Sequence, residues 1–446
     1  MAFSMALLGA LAYRPPWAGE YFLTSLGYDS TPTGTEISRG VAFDSSGNFY
    51  VVGYTNQPSI RPLITKHDST GTVQWQRTLL GGNTTFSAVA VDSSGNVYAC
   101  GSVQGTGGSG LGDGLVVKYD ASGNLLWKRA FGGTSHDSFS AIAVDSSNNI
   151  YVAGYARNNS AEGALIAKYD SSGNIQWQRT LDGSYFDSFY GVAIDSSNNI
   201  YVAGHVSSST SSSSKDALIA KYNSSGAIQW QRTLGGSLED SAKGICVDSS
   251  GNIYVAVETR SAGAGAQECL LAKYNSSGTV QWQRTLGSTS TDQPSSIAAD
   301  SVGNIYVIGH TNNSFSTDGG NIFFAKYNSS GTIQWQRTLG GNEQDIGKAI
   351  AIDSSDNVFV TGYSRSAGTI DWIIAKLPND GSLTGSYILG QRYVNYAANS
   401  LTSASASLAS SSSSVSNATS SFNSVTPTST SESTSMDQQF RGIGTL

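Results

Sequence analysis

The feature that most constrains this chain is its likeness to itself. Seven aspartates, Asp44, Asp92, Asp145, Asp195, Asp248, Asp300 and Asp353, recur at intervals of 48, 53, 50, 53, 52 and 53 residues, each opening a closely related motif. A period of this size belongs to propellers and solenoids, whose units bury apolar surface only against their neighbours. The fourth copy displays the unit: Gly191 to Asp195 (GVAID), a turn over Ser196 to Asn199, Ile200 to Gly204 (IYVAG), a variable loop, Ala217 to Tyr222 (ALIAKY), a second turn, then Ala227 to Leu234 (AIQWQRTL). Val, Ile, Tyr and Trp between clusters of Asp, Ser, Asn and Gly predict four short strands per copy.

The turns carry their own chemistry. Asp-Ser-Ser-Gly-Asn follows the first strand and Tyr-Asp/Asn-Ser-Ser-Gly the third; Asp or Asn accepts backbone N–H bonds, and Gly supplies a positive φ. Where that glycine is missing, at Asn148, Asn198 and Asp356, the substitutes are residues that tolerate the left-handed region. The strands are near-continuous apolar runs, so each sheet is covered on both faces, as radial blades are. First strands favour small residues (Ala88, Ala90, Ala141, Ala143, Ala193, Ala298, Ala299), which places them innermost. Fourth strands carry Trp75, Trp127, Trp177, Trp230, Trp282 and Trp335, suited to filling the wedge between blades.

The expected fold is all-β: a seven-bladed β-propeller of four-stranded antiparallel blades over residues 38–390, preceded by an N-terminal arm (1–37) and followed by a Ser/Thr/Ala-rich tail (391–446). Two segments compete for the last outer strand. Gly19 to Gly27 (GEYFLTSLG) has Phe22 in the Trp place, and Leu383 to Gly390 follows the third strand of the seventh unit. The N-terminal segment is favoured, because joining the two chain ends in one blade removes a free edge.

Written out, D-S-S-G-N-I-Y-V-A-G, L-I-A-K-Y-D-S-S-G and I-Q-W-Q-R-T-L-G-G resemble the bacterial and phage β-propeller-repeat family. The resemblance spans residues 38–390. It implies surface or virion structural roles and supplies no catalytic residues; fold alone licenses no function.

Chain geometry sorts the loops. Both tight turns fall on one face of the ring, and the variable loops and inter-blade crossings on the other, where binding is expected. The variable loops Gly101 to Gly114, Val206 to Asp216, Arg260 to Glu268 and Thr311 to Asn321 are rich in Gly, Ser, Thr and Asn and suit polar ligands such as glycans. In the crossings, Asp137, Asp187, Asp240, Asp292 and Asp345 each stand ten residues after a repeat Trp and eight before the next anchor Asp. They can be a carboxylate rim for a cation or polar ligand, with His136 beside Asp137. The simpler reading is that each caps backbone N–H groups or pairs with Arg77, Arg129, Arg179, Arg232, Arg284 or Arg337. Asp44, Ser46 and Asn48 match the start of a calcium loop, but the bidentate Glu at its end is missing.

No nucleophile–base pair, metal-spaced histidine cluster or blade-specific carboxylate pair stands out, and His67, His136, His205 and His310 fall at different points of the repeat. An enzyme is not expected, nor a metal or cofactor; a propeller lyase or glycosidase working through Asp137 is the residual catalytic reading. Charged residues are only 13% of the chain and net charge is −7 without a Lys/Arg block, which speaks against nucleic acid. Cys100, Cys246 and Cys269 lack CxxC spacing and read as small buried apolar residues. No run is long enough to cross a membrane as a helix. Met5 to Ala12 (MALLGALA) resembles the end of a signal peptide, yet no Lys or Arg precedes it.

After Gly390 the chain turns to Ser, Thr, Ala and Asn, a composition disordered in isolation. Leu401, Leu408, Val415 and Phe422 are seven apart, with Ala404 and Ala418 between, so a weak heptad seam or an extended arm is expected. The segment resembles the Ser/Ala-rich linkers of phage tail fibres. The expected setting is a non-enzymatic virion component of a phage tail or appendage, in an oligomeric assembly with other structural chains and touching host-surface glycans. A secreted bacterial surface adhesin is the alternative, with a mature N-terminus at Tyr13.

Overall fold

The computed structural model describes residues 21–26, 35–56, 59–79, 83–104, 112–132, 135–158, 161–182, 186–207, 215–263, 266–312, 320–341, 343–366, 369–382, 385–389, 392–398 and 401–406, with short strands at 409–412, 416–418, 423–425 and 431–433. Met5 to Ala12, the centres of the four variable loops, and Leu408, Val415 and Phe422 lie outside the described residues. No helix of the described residues is long and apolar enough to cross a membrane.

Seven antiparallel sheets stand around an axis, and each repeat forms one of them. In the third, Asp137–Val144, Ile150–Asn158, Ala161–Tyr169 and Ile175–Asp182 pair in sequence order from the axis outward. Two chemical signals fix this geometry. Each anchor Asp organises its turn: Asp145 Oδ1 accepts from the Ser147 and Asn149 amides at 2.9 and 2.8 Å, and its Oδ2 accepts from Asn149 Nδ2 and the Tyr151 hydroxyl. Asn148, Asn198 and Asp356 adopt φ of 61°, 59° and 61°, as their turn places require. The oxygens of Asp44 are spent in the same way on Ser46, Asn48 and Tyr50, which makes the calcium-like start a turn.

The second and third strands are buried on both faces, and successive blades share apolar clusters, as between Tyr151, Ile166 and Leu181 of the third blade and Val202, Leu218 and Tyr222 of the fourth. Between blades the outer strand reaches sideways. Trp75 Nε1 donates to Ala121 O at 3.1 Å in the next blade's outer turn, while Arg77 Nε and Nη2 donate to Gly123 O (2.8 Å) and Ser122 O (3.2 Å). The Arg77 guanidinium also lies 5.4 Å from its own Trp ring. Gly123 must be glycine twice over: its φ is +80°, and a Cβ there would meet the Trp75 ring at 2.9 Å. The same Trp–Arg clamp recurs from Trp127, Trp177, Trp230, Trp282 and Trp335.

The ring is closed by the N-terminal segment. Phe22–Leu26 pairs with Thr369–Leu377 of the seventh blade, with Phe22 opposite Lys376 where other blades set Trp opposite Lys. The rival segment goes elsewhere: Gly385–Leu389 forms a hairpin with Arg392–Ala398, which lies on the outer strand of the sixth blade.

The tail departs from expectation. Instead of a coiled coil or a free arm, it supplies a fifth strand to blade after blade. Thr402–Ser405, Ala409–Ser412, Ser416–Ala418, Asn423–Val425 and Ser431–Ser433 pair with the outer strands of the fifth, fourth, third, second and first blades in turn. The belt runs against the chain order, and its repeat of about seven residues is the distance from one blade edge to the next, not a helical heptad. Leu401, 3% exposed, enters the cluster that holds Leu286 and Tyr327. Ser and Thr suit the part, since an edge strand needs backbone pairing and little side-chain volume.

Candidate functional site: the axial cavity and its crossing-face mouth

The crossing aspartates occupy equivalent places but do not form an open rim. Asp137, Asp187, Asp240, Asp292 and Asp345 are all at most 2% exposed. Each is a backbone cap. The Asp137 amide donates to Gly112 O at 2.8 Å and its Oδ1 accepts from the Arg157 amide at 2.9 Å; Asp187 does the same with Glu162 O and the Ser207 amide. Asp240 Oδ2 accepts from the Gly236 amide and Ser261 Oγ, Asp292 Oδ2 from the Ser288 amide and hydroxyl, and Asp345 Oδ2 from the Gly341 amide. Half-buried His136 bridges to Gly112 beside Asp137. The suggested ion pairs between these aspartates and the repeat arginines are not made, because the arginines clamp outer-turn carbonyls on the opposite face. Burial, and then the neighbouring Asp240, push the Asp216 carboxyl above its ordinary value.

Another set of residues does face open space. In every blade the innermost strand carries a β-bulge, between Ser38 and Gly40, Phe86 and Ala88, Phe139 and Ala141, Phe189 and Gly191, Ala242 and Gly244, Pro294 and Ser296, and Gly347 and Ala349. A bulge leaves one residue unpaired and re-aims its side chain. The residues so freed are Arg39, Ser87, Ser140, Tyr190, Lys243, Ser295 and Lys348, and all seven line one axial cavity of about 230 Å³. The small residues that follow them let seven strands converge. Next come Val41, Val89, Ile142, Val192, Ile245, Ile297 and Ile350, which make an apolar ring farther along the axis.

Three of the seven bulge residues are cations, each over a tyrosine ring: Arg39 over Tyr54 (4.9 Å), Lys243 over Tyr190 (4.9 Å) and Lys348 over Tyr363 (5.6 Å). Lys243 also pairs with Glu258 at 3.1 Å. Burial first, then Arg39 and Lys243, lower the Lys348 ammonium to about 8. A side pocket between the fourth and fifth blades, lined by Tyr190, His205, Lys215, Glu239, Ser241, Lys243 and Glu258, shares Tyr190 and Lys243 with the axial cavity. The nearby histidines stay neutral, since burial drives His205 down to about 3 and His310 to about 4. No group of three or more His, Cys, Asp and Glu among the described residues could hold a metal ion.

None of the bulge residues was singled out from the sequence. The signal was there: each stands five residues before an anchor Asp, at a position otherwise followed by a small residue.

The family model for the β-propeller repeat matches residues 26–58, 126–160, 281–316 and 334–368. The chain carries β-propeller repeats of that family. Within curated proteins, this β-propeller-repeat chain is similar to the regulatory protein FlaEY of Caulobacter vibrioides, with 26% identity over 164 residues, 32% of this chain and 17% of that protein. It is also similar to a WD repeat-containing protein of Acanthamoeba polyphaga mimivirus, with 25% identity over 166 residues, 30% of this chain and 11% of that protein. The matched stretch is thus a small part of either relative's own length. Among solved structures, the WD40 β-propeller domain of Doa1 superposes with a TM-score of 0.47 at 14% identity, over 79% of this chain and 96% of that one.

Proposed function

We propose that this chain is a non-enzymatic binding and scaffolding propeller of a phage virion, carried on a tail or appendage, which makes its contacts through the crossing face. One observation supports the binding part above the rest: where sevenfold sameness breaks. The turn face repeats its Asp-centred hairpins and six Trp–Arg clamps, whereas the bulge position around the axis reads Arg, Ser, Ser, Tyr, Lys, Ser and Lys. A position free to differ while its frame is held constant suits recognition. Phe22–Leu26 is spent on the ring as its closing strand and the segments from Arg392 to Ser433 as a belt, which suits a component exposed outside the cell.

Mass spectrometry of purified particles tests the setting. Peptides of this chain at structural stoichiometry are expected; recovery only from culture medium, with an N-terminus at Tyr13, favours the secreted adhesin instead. For the contact face, substitutions in the crossing-face loops are expected to abolish binding to partner chains or host-surface glycans. Equal loss from turn-face substitutions overturns that part.

A further inference from the structure

The axial cavity holds an arrangement that costs the fold something. Arg39, Lys243 and Lys348 come from the first, fifth and seventh blades and converge on one narrow space in a protein whose net charge is −7. Glu258 compensates Lys243. Among the described residues neither Arg39 nor Lys348 has a carboxylate within ion-pair distance; each is met only by a tyrosine face. The charges feel one another, since Arg39 and Lys243 both add to the lowering of Lys348. Core-making residues would avoid such a cluster, and sites that break local rules at a cost are where ligands are met. Beside the cations the lining carries hydroxyls, from Ser87, Ser140, Ser295 and Ser296, with Tyr190 at the junction with the side pocket and the ring of Val and Ile side chains farther along the axis. Hydroxyl donors, an aromatic plane and convergent cations within about 230 Å³ fit one compact oxyanion-bearing ring better than an extended peptide.

We propose that the axial cavity seats the carboxylate of an acidic sugar residue, with Arg39 and Lys348 as its charged ligands, Lys243 flanking them and the bulge serines bonding its hydroxyls. This rests on the crossing-face binding reading and names its ligand class. The anion supplies the missing countercharge, so binding weakens as pH rises through about 8, where Lys348 loses its proton. The titratable groups facing Lys348 are Arg39, Lys243, His310 and Tyr363, and His310 is already neutral at pH 7.

The test is calorimetric titration of the full chain with glucuronate and an oligogalacturonate, beside glucose and poly-glutamate. Saturable binding of the two uronates is expected, with none of glucose, and with a roughly tenfold or greater loss in each of Arg39→Gln and Lys348→Met. Lys348→Met is also expected to raise the melting temperature of the ligand-free protein, because it removes the repulsion that Arg39 and Lys243 exert on a half-buried ammonium; a purely structural lysine would lower it. Absence of uronate binding, equal binding by the variants, or equal binding of glucose overturns the proposal. Poly-glutamate binding that depends on Lys348, without uronate binding, overturns the sugar assignment. If uronates fail while crossing-face loop variants still lose their partner, the ligand class falls and the broader reading stands.

Discussion

Six of the seven seams between blades are built alike, and the seventh is not. In the six, a Trp and an Arg donate hydrogen bonds into the next blade's outer turn. At the seam between the seventh and first blades Phe22 takes the Trp place and packs beside Gly71 with no donor to offer. Aromatic contact replaces the clamp: Phe22 stacks on Phe49 (centroids 5.7 Å apart), Phe43 meets Phe359 edge-on (4.6 Å), and Phe49 stacks on His67 (4.6 Å). Seams between covalently consecutive blades can be positioned by directional bonds. The closing seam must be found by two distant parts of the chain, and non-directional apolar burial tolerates the approach.

The strongest way to break this contrast is to delete residues 1–27. That removes buried Leu23 and Phe22 and exposes the edge of Thr369–Leu377, at a cost on the order of 5 kcal/mol read as a lower urea midpoint. An unchanged midpoint would mean the strand does not close the ring.

Two changes of about 3 kcal/mol probe the seam from either side. Phe22→Ala is expected to cost that much, by loss of ring packing. The other is pH. His67 stands where other blades carry Tyr119, Tyr169, Tyr222, Tyr274 and Tyr327, and is 1% exposed with Nδ1 3.0 Å from Gly71 O and Nε2 2.9 Å from Thr65 Oγ1. Burial lowers it to about 4 from 6.5, so the unfolded chain takes up the proton first. Stability contributed by neutral His67 is therefore full above pH 6.5 and falls as pH drops towards 4, by roughly 3 kcal/mol in all. His67→Tyr is expected to flatten that part of the pH profile; identical profiles for the two proteins count against a neutral buried imidazole at the seam.

The smallest effects sharpen the comparison by exchanging seam types. Trp127→Phe keeps a ring but loses the bond to Ser171 O, and is expected to cost about 1 kcal/mol. Phe22→Trp, which offers the seventh seam the donor it lacks, is expected to gain somewhat less than about 1 kcal/mol in the same unfolding measurement. A loss on Phe22→Trp would show the seam to be fitted to phenylalanine.

Much of this molecule was legible residue by residue, where the determining chemistry is short-range. An Asp that bonds amides two and four residues ahead, a Gly or Asn at positive φ, and apolar runs of strand length announce each blade without reference to the others. Phe22 could be recognised as the closing residue because it fills a Trp position in a strand of the right pattern.

What lay beyond the sequence depended on partners distant in the chain. The crossing aspartates were correctly placed in the repeat, yet their burial involves the preceding blade, whose loop carbonyls at Gly112, Glu162, Gln267 and Gly320 accept from the Asp137, Asp187, Asp292 and Asp345 amides. The Arg side chains found carbonyls of the next blade rather than carboxylates of their own, a choice set by the angle between blades. The seven-residue spacing of the tail fits a helix or a belt equally well until six blade edges exist to be paired. The bulge residues give the plainest case: a sequence fixes that Arg39, Lys243 and Lys348 share a repeat position, but only seven strands converging on one axis bring their charges together.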